Sequence, residues 1–151
     1  MKFSASNINK FLFFKLPSAF LCGVRATYID EAKCEVTVTH RWINQNPFNS
    51  MYFAVQAMAA ELSTGALVMG KIRESDKKIS MLVANSKSNF TKKATGKITF
   101  TCNNGKAISE AIQKTVETGE GQTCLMKSTG KNESGEQVSE MHFEWTVKLK
   151  S

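Results

Sequence analysis

Residues 50–72 most restrict the fold, because they form a long apolar stretch with almost no charge. Glu61 is the only charged residue in it before Lys71. Apolar side chains recur there near the helical period, at Met51, Val55, Met58, Leu62 and Leu67. A helix that is apolar on most of its faces has to be buried. The pattern therefore predicts a central helix over residues 50–72, enclosed by other elements.

The enclosing elements are predicted to be β-strands, because apolar and polar residues alternate in several other segments. These segments are 24–29, 33–40, 78–84, 97–102, 122–128 and 137–149. The first two form a hairpin, and the last shows the clearest alternation. Residues 106–118 fit a helix or a strand, and both alternatives stay open. The order of elements predicts an α+β fold.

Residues 1–22 are predicted to be an N-terminal helix and its lead-in. Ser6 or Asn7 is expected to cap the helix and Pro17 to end it. A secretion signal is disfavoured because Lys10 and Lys15 bracket an apolar run that is too short. With 151 residues and no visible linker or repeat, the chain is expected to be one domain spanning 1–151.

Four cysteines, Cys22, Cys34, Cys102 and Cys124, stand at wide and unequal spacings. No C-x-x-C pair is present, so neither a metal site nor a redox motif is expected. Reduced thiols in the core of a cytoplasmic protein are the preferred interpretation. Two disulfides remain an alternative because the number is even.

The net charge of +7 favours an anionic partner: nucleic acid, anionic lipid or a phosphorylated small ligand such as coenzyme A. The aromatic and basic signature of a nucleic-acid module is missing, so no nucleic-acid partner is expected. No run approaches the roughly 20 apolar residues of a transmembrane helix, and no membrane partner is expected either. A nucleic-acid or anionic-surface binder stays as a third class of function, with salt-sensitive binding as its prediction.

Glu61 is the first candidate for a functional residue. A carboxylate in the middle of an apolar helix has to be hydrogen-bonded, paired or placed in a cleft that uses it. The alternative is a residue that faces solvent or a subunit interface. On composition alone the functional and the structural interpretations are about equally favoured, because carboxylates with perturbed pKa values occur in active sites and in structural ion pairs.

The start of the central helix is the second candidate, since free backbone N–H groups at a helix start bind anions or polarised carbonyl oxygens. Asn46, Asn49 and Ser50 cluster there. Capping by Asn49 or Ser50 needs no ligand and is the more common purpose of such residues.

These two features resemble the hotdog thioesterase superfamily, and in particular its phenylacetic-acid-degradation type. That group carries Asn-x-x-Gly-x-x-His-Gly-Gly before its helix and an acidic residue further along it. Here Asn46 takes the first position, Tyr52 the histidine position, and Glu61 the acid position nine residues later. Residues 88–98 and 133–138 resemble the family's segments before two later strands.

The resemblance implies a hotdog fold, in which a curved antiparallel sheet wraps a long helix, and an acyl-CoA thioesterase that forms a homodimer or homotetramer. It implies Glu61 as general base or nucleophile, amides around Phe53 as donors to the thioester carbonyl, and Asn46 as a group that orients ligand or water. Coenzyme A enters as substrate, with no other cofactor. Its phosphates would meet Lys92, Lys93 and Lys97, for which a solvated surface is the favoured alternative.

The chain departs from the family pattern at the helix start, where Asn49, Tyr52, Phe53 and Ala54 replace the glycines and the histidine. A glycine there lets a backbone N–H approach the thioester. A noncatalytic acyl- or lipid-binding module of the same fold is therefore the second function considered.

Other hydrolytic sites are disfavoured. Ser50 lacks the glycine elbow of a serine nucleophile, and neither His40 nor His142 has a motif partner. A hotdog dehydratase would need a histidine in the helix loop, and none is found there. His142 alternates outward on the last predicted strand, as a surface or interface residue would.

Overall fold

A computed structural model describes residues 3–151; Met1 and Lys2, within the predicted segment 1–22, lie outside the described residues. Its helices are α1 (Ala5–Lys15), α2 (Pro17–Leu21), α3 (Phe53–Ser75) and α4 (Gly105–Thr118), with a short 3-10 helix at Trp42–Asn44. Its strands are β1 (Arg25–Ile29), β2 (Cys34–Thr39), β3 (Ile79–Phe90), β4 (Lys97–Cys102), β5 (Gln122–Lys131) and β6 (Gln137–Leu149).

The six strands form one antiparallel sheet in the order β1-β2-β4-β5-β6-β3, curved around α3. Alternate side chains of the strands point inward, and those of β2, β4, β5 and β6 bury against the helix. A single core cluster runs from Ile8 in α1 to Val147 in β6. The predicted α+β hotdog fold is confirmed.

The central helix α3 lies about one turn further along the chain than predicted, at Phe53–Ser75 instead of 50–72. Its start is displaced because Ser50 and Met51 form backbone hydrogen bonds with Asn46 and Ala94 in the preceding loop. By length and hydropathy α3 could cross a membrane, but 61% of its most apolar window is buried within the protein. It is the core helix that the low charge predicts.

The segment that the sequence left open is a helix, α4. Its first residue, Gly105, packs on the turn between β1 and β2, where a Cβ would lie 2.1 Å from the Glu31 carbonyl oxygen. The strands on either side of α4 pair only between residues 99–101 of β4 and 129–131 of β5. Beyond that pairing, the Asn104 side chain accepts a hydrogen bond from the Lys127 backbone N–H at 2.8 Å.

The helix α1 lies against the edge strand β1, and α2 packs against α1 and α3. The cap of α1 is Ser4, whose hydroxyl accepts from the Asn7 N–H, and not Ser6 or Asn7 as predicted. The Asn9 side chain bonds both the N–H and the C=O of Ala26, which satisfies part of the exposed edge of β1. Pro17 ends α1 as predicted and also begins α2.

The four cysteines are free thiols, and Cys34, Cys102 and Cys124 are buried. Burial raises the pKa of Cys34 to about 12 and that of Cys102 to about 11. These thiols therefore stay protonated at neutral pH, as the core interpretation requires.

Candidate functional site

The Glu61 carboxyl group lies on one side of α3, next to the indole of Trp145. A Cβ placed on Gly65 would lie 3.6 Å from Glu61 Oε1 and 3.1 Å from Trp145 Cζ2. Within residues 3–151 the carboxyl has no hydrogen-bond or ion-pair partner. Burial raises its pKa above the usual 4.5 because a charged carboxylate loses solvation there. An unpaired, desolvated carboxyl group of this kind is suited to proton transfer.

Trp145 is held in place by Thr64. Its indole Nε1–H donates to Thr64 Oγ1 at 2.8 Å, and the threonine hydroxyl donates in turn to the Glu61 carbonyl oxygen at 2.8 Å. The contact fixes the indole over Gly65, beside the carboxyl group. Nothing in the sequence associates Trp145 with Glu61; the alternation in residues 137–149 is the signal that points its side chain inward.

The start of α3 carries two free backbone donors. Tyr52 is the N-cap residue, in an extended conformation, and its side chain makes no capping bond. In the described part of the chain, no group accepts from the N–H of Phe53 or Ala54. The Phe53 ring makes edge-to-face contacts with Tyr52 and Phe90, at 5.0 and 6.3 Å between centroids. The bulky side chain is thus held among surface aromatic residues.

The loop before α3 is organised by Asn46, whose side chain is fully engaged. Its Oδ1 accepts from the N–H of Phe48 at 2.8 Å and of Ser50 at 3.2 Å, while Nδ2 donates to Ser50 Oγ at 2.9 Å. Asn49 stands at the tip of the loop with φ of 58°. Neither Asn49 nor Ser50 caps α3, so that capping expectation is wrong: both lie in a turn that closes on Asn46.

A cavity of about 430 Å³ lies between this loop, the start of α3 and the end of β3. Gln56 lines it, and its side-chain carbonyl oxygen is buried without a hydrogen-bond partner in the described residues. An unpaired buried acceptor is costly and commonly marks a position that a ligand or water completes. Sequence reasoning missed Gln56, because a lone polar residue in the first turn of a helix carries no pattern.

Two of the three lysines expected to meet phosphates border this cavity. Lys92 pairs with Glu136 at 2.6 Å, and Lys93 Nζ donates to the Phe48 carbonyl oxygen at 3.3 Å. Lys97 lies at the exposed start of β4, outside the cavity lining. The structure therefore brings together Asn46, Ser50, Tyr52, Phe53, Lys92 and Lys93, with Asn49 at the adjoining loop tip.

Glu61 is separate from that group. It lies eight residues after Phe53 on the same helix, a distance of about 12 Å along the axis. Between them, one stripe of α3 is only partly covered by the protein itself: Ala54, Ala57, Met58 and Glu61. The described residues contain no cluster of side chains suited to a metal ion.

Comparison with known proteins identifies the family and the fold. The model of the family described as "Domain of unknown function (DUF4442)" matches residues 5–147. No curated protein resembles the chain closely enough to count as a match.

Several solved structures share the fold of this chain. A protein of unknown function and probable thioesterase from Pseudomonas aeruginosa is 19% identical, with a TM-score of 0.81 and 96% of each chain covered. A protein of unknown function from Chlorobaculum tepidum is 12% identical, with a TM-score of 0.83 and 99% of each chain covered. A thioesterase from Haemophilus influenzae is 14% identical, with a TM-score of 0.75 and coverage of 99% of this chain and 93% of its own. At these identities the likeness shows the shared fold.

Proposed function

The chain belongs to the DUF4442 family, and on that premise we propose that it hydrolyses an acyl-coenzyme A thioester at a site shared by two subunits. The observation that carries the proposal is the unpaired, half-buried carboxyl group of Glu61, whose pKa is raised by this partial burial. A carboxyl group with a raised pKa is a stronger base than an ordinary one, which suits it to general-base catalysis.

In the proposed reaction Glu61 takes a proton from a water molecule as the water oxygen attacks the thioester carbonyl carbon. The carbonyl oxygen becomes an oxyanion, and collapse of the tetrahedral intermediate breaks the carbon–sulfur bond. The thiolate of coenzyme A leaves and takes the proton that Glu61 received from water, which regenerates the base, and the acyl group leaves as a carboxylic acid. Trp145 and Thr64 position the base, since their hydrogen bond fixes the wall against which Glu61 lies.

The oxyanion is stabilised by the free N–H of Phe53 at the start of α3, which the helix dipole makes a better donor. Phe53 stands where the hotdog thioesterase pattern has a glycine, but its ring packs against Tyr52 and Phe90. That placement leaves the backbone donor without a protein partner. The unpaired acceptor of Gln56 is available to bind an N–H or hydroxyl of the ligand.

One helix cannot supply both groups to one carbonyl, because Phe53 and Glu61 are about 12 Å apart and each has to come within about 3 Å of the reacting atoms. We infer that the base of one subunit acts with the helix start of its partner. A two-fold axis near Ala57, midway between Phe53 and Glu61, would bring the two groups together. The small, partly open residues Ala54 and Ala57 allow two helices to approach closely there.

The edge strand β3 supports such a dimer. It pairs with β6 on one side only, its residues from Ala84 to Phe90 are exposed, and long unprotected edges are generally paired or covered. Antiparallel pairing of β3 with its copy would join two sheets and set the two α3 helices side by side. The coenzyme A phosphates would then lie at the cavity bordered by Lys92 and Lys93. The substrate and the free thiols suit a cytoplasmic protein.

The experiment is hydrolysis of a panel of acyl-CoA thioesters of increasing chain length by the wild type and by Glu61→Gln. We expect turnover in the wild type and a loss of about 100-fold or more in the variant, the usual range for a general base. The matched control is Glu110→Gln, on the exposed side of α4, which should retain full turnover. Equal turnover in both variants would remove Glu61 from the mechanism.

The second candidate is an acyl- or lipid-binding module without turnover. The exposed aromatic residues around the cavity, Phe48, Tyr52, Phe53 and Phe90, favour it, since they offer apolar surface to a ligand. Tight calorimetric binding of an acyl-CoA by the wild type, with no product formed, would select this function over hydrolysis.

A further inference from the structure

The helices α1 and α2 have one face packed into the protein and another that is largely exposed. Ile8, Leu12 and Ala19 are buried in the core. Asn9 is bonded to both backbone groups of Ala26, so α1 is fastened to the edge of the sheet. The pair of helices is therefore a fixed part of the fold, and the orientation of its outer face is set by that attachment.

The outer face is strongly apolar. Phe13, Phe14, Leu16 and Leu21 are 55%, 74%, 40% and 64% exposed. The Phe13 ring makes edge-to-face contacts with Phe14 at 5.0 Å and with Phe20 at 5.1 Å, so these three rings form one surface. We call Phe13, Phe14, Leu16 and Leu21 the aromatic face. Contiguous exposed apolar surface of this kind marks a site of interaction with a protein or a membrane.

The charged residues near the aromatic face in the sequence are all basic. Residues 1–29 contain four basic residues and no acidic one; the first is Asp30. In the described part of the chain, Lys10, Lys15, Arg25 and Arg41 form no ion pair. The Arg25 guanidinium stacks on the Phe20 ring at 3.6 Å, and burial, followed by the nearby charge of Arg41, lowers its pKa. Among the described residues, these four cations have no anionic partner.

We propose that the aromatic face docks the protein on the surface of an anionic lipid bilayer. Apolar side chains surrounded by lysines are the composition of interfacial membrane-binding helices, in which the apolar groups enter the acyl boundary and the cations meet lipid phosphates. Charge complementarity favours lipid over a second copy of this chain. A symmetric contact between two aromatic faces would bring two unpaired positive surfaces together.

Two neighbouring features agree with this placement. Trp42 is 83% exposed, and its 3-10 helix is tied to the end of α2 by a bond of 2.9 Å from Asn44 Nδ2 to the Cys22 carbonyl oxygen. Tryptophan is enriched at membrane interfaces. Phe14, Lys10 and Lys15 also border a groove of about 430 Å³ that continues to Met69 and Met81. When the aromatic face is docked, this apolar groove would lie at the bilayer surface. The docking does not depend on whether Glu61 catalyses hydrolysis.

The test is co-sedimentation of the whole protein with vesicles of phosphatidylcholine alone or with added phosphatidylglycerol. The proposal expects binding to the anionic vesicles that far exceeds binding to the neutral ones. Binding should weaken between 0.1 M and 1 M salt, because the screening length falls from about 10 to about 3 Å. Phe13→Ser with Phe14→Ser should lower affinity for anionic vesicles about tenfold or more. Lys10→Glu with Lys15→Glu should lower it about 25-fold or more, at roughly fivefold for each lysine.

Matched control variants distinguish an effect of the aromatic face from a general effect of losing an exposed apolar side chain or positive charge. Leu125→Ser removes a leucine that is 62% exposed on β5, and Lys106→Glu with Lys114→Glu makes the same change of charge on α4; both should bind as the wild type does. Binding that is equal on neutral vesicles, or unchanged by the Phe13 and Phe14 substitutions, would overturn the proposal. Absence of vesicle binding would also overturn it, and an assembly that these substitutions dissociate would assign the face to a second copy. Hydrolysis assays on the same variants in detergent-free buffer report separately on the proposed function.

Discussion

The indole N–H of Trp145 donates a hydrogen bond to the hydroxyl oxygen of Thr64 at 2.8 Å, and both side chains are buried. The bond joins the last strand to the central helix three residues after Glu61. It sets the distance between β6 and α3 at the point where a Cβ on Gly65 would already crowd the indole, at 3.1 Å. Helix and strand therefore approach closely beside the candidate base.

Thr64→Val should destabilise the protein by about 1–3 kcal/mol, because it leaves a buried indole N–H without an acceptor. Thr64→Ser keeps the hydroxyl and should cost less. Urea unfolding of the two variants measures the difference. Equal stability of the Val and Ser variants would show that the bond contributes nothing.

The raised pKa of Glu61 predicts a specific pH dependence. Burial raises the pKa above 4.5, so in the window between 4.5 and the folded-state pKa the native protein binds more protons than the unfolded chain. Stability then falls as pH rises through that window, and the cost is fully present above it. Glu61→Gln removes this cost, so its stability advantage over the wild type should grow across the window and then level off.

The same shift bears on the reaction. A general base has to be ionised, so the rate should rise with pH through the pKa of Glu61, with a midpoint above 4.5. Paired urea-unfolding curves and rate profiles over pH check both expectations. Glu110→Gln, which changes an exposed carboxylate, should show no growing advantage. A rate midpoint at or below 4.5 would contradict the role of Glu61 as a desolvated base.

The oxyanion donor can be tested with proline at the first position of α3. Phe53→Pro removes the backbone N–H but suits the helix, since proline is favoured at the first helical position and Tyr52 already has an extended conformation with φ −60° and ψ 135°. Turnover should fall about 100-fold or more, the cost of a lost oxyanion donor. Phe53→Ala removes only the ring and is the control. If both variants lose turnover equally, the ring matters and the N–H does not.

Gly105→Ala tests the attachment of α4 to the sheet. A Cβ there would lie 2.1 Å from the backbone oxygen of Glu31, which no side-chain rotation can relieve. Destabilisation of about 1–3 kcal/mol or more is expected for such overpacking. Gly121→Ala meets its nearest neighbour at an ordinary 3.5 Å and should be nearly neutral in thermal unfolding. A Gly105→Ala protein as stable as Gly121→Ala would mean that α4 does not dock as described.

Much of the fold could be predicted from local patterns in the sequence. The alternation in residues 137–149 coincides with β6, and low charge identified α3 as the buried helix. The alternation and the low charge each extend over many residues. Both arise because side chains that face the core have to be apolar. The same reasoning placed Glu61 correctly in the middle of a buried helix.

Features set by long-range contacts were not predicted. The strand β3 extends to Phe90 rather than stopping near residue 84, because a bulge between Val83 and Asn85 interrupts the alternation and the residues beyond it are exposed. The start of α3 depends on how the preceding loop closes on Asn46. The position of Trp145 beside Glu61 and the unpaired oxygen of Gln56 arise from contacts between distant segments, which no local spacing records.

The most direct test of the shared site mixes two inactive variants, Glu61→Gln and Phe53→Pro, by joint refolding or co-expression. If each site combines Glu61 of one subunit with the Phe53 N–H of its partner, a mixed dimer regains one intact site of its two. Random pairing of equal amounts should then restore about a quarter of wild-type turnover. A mixture no more active than the separate variants, although size analysis with distinct tags shows mixed dimers, would contradict the account.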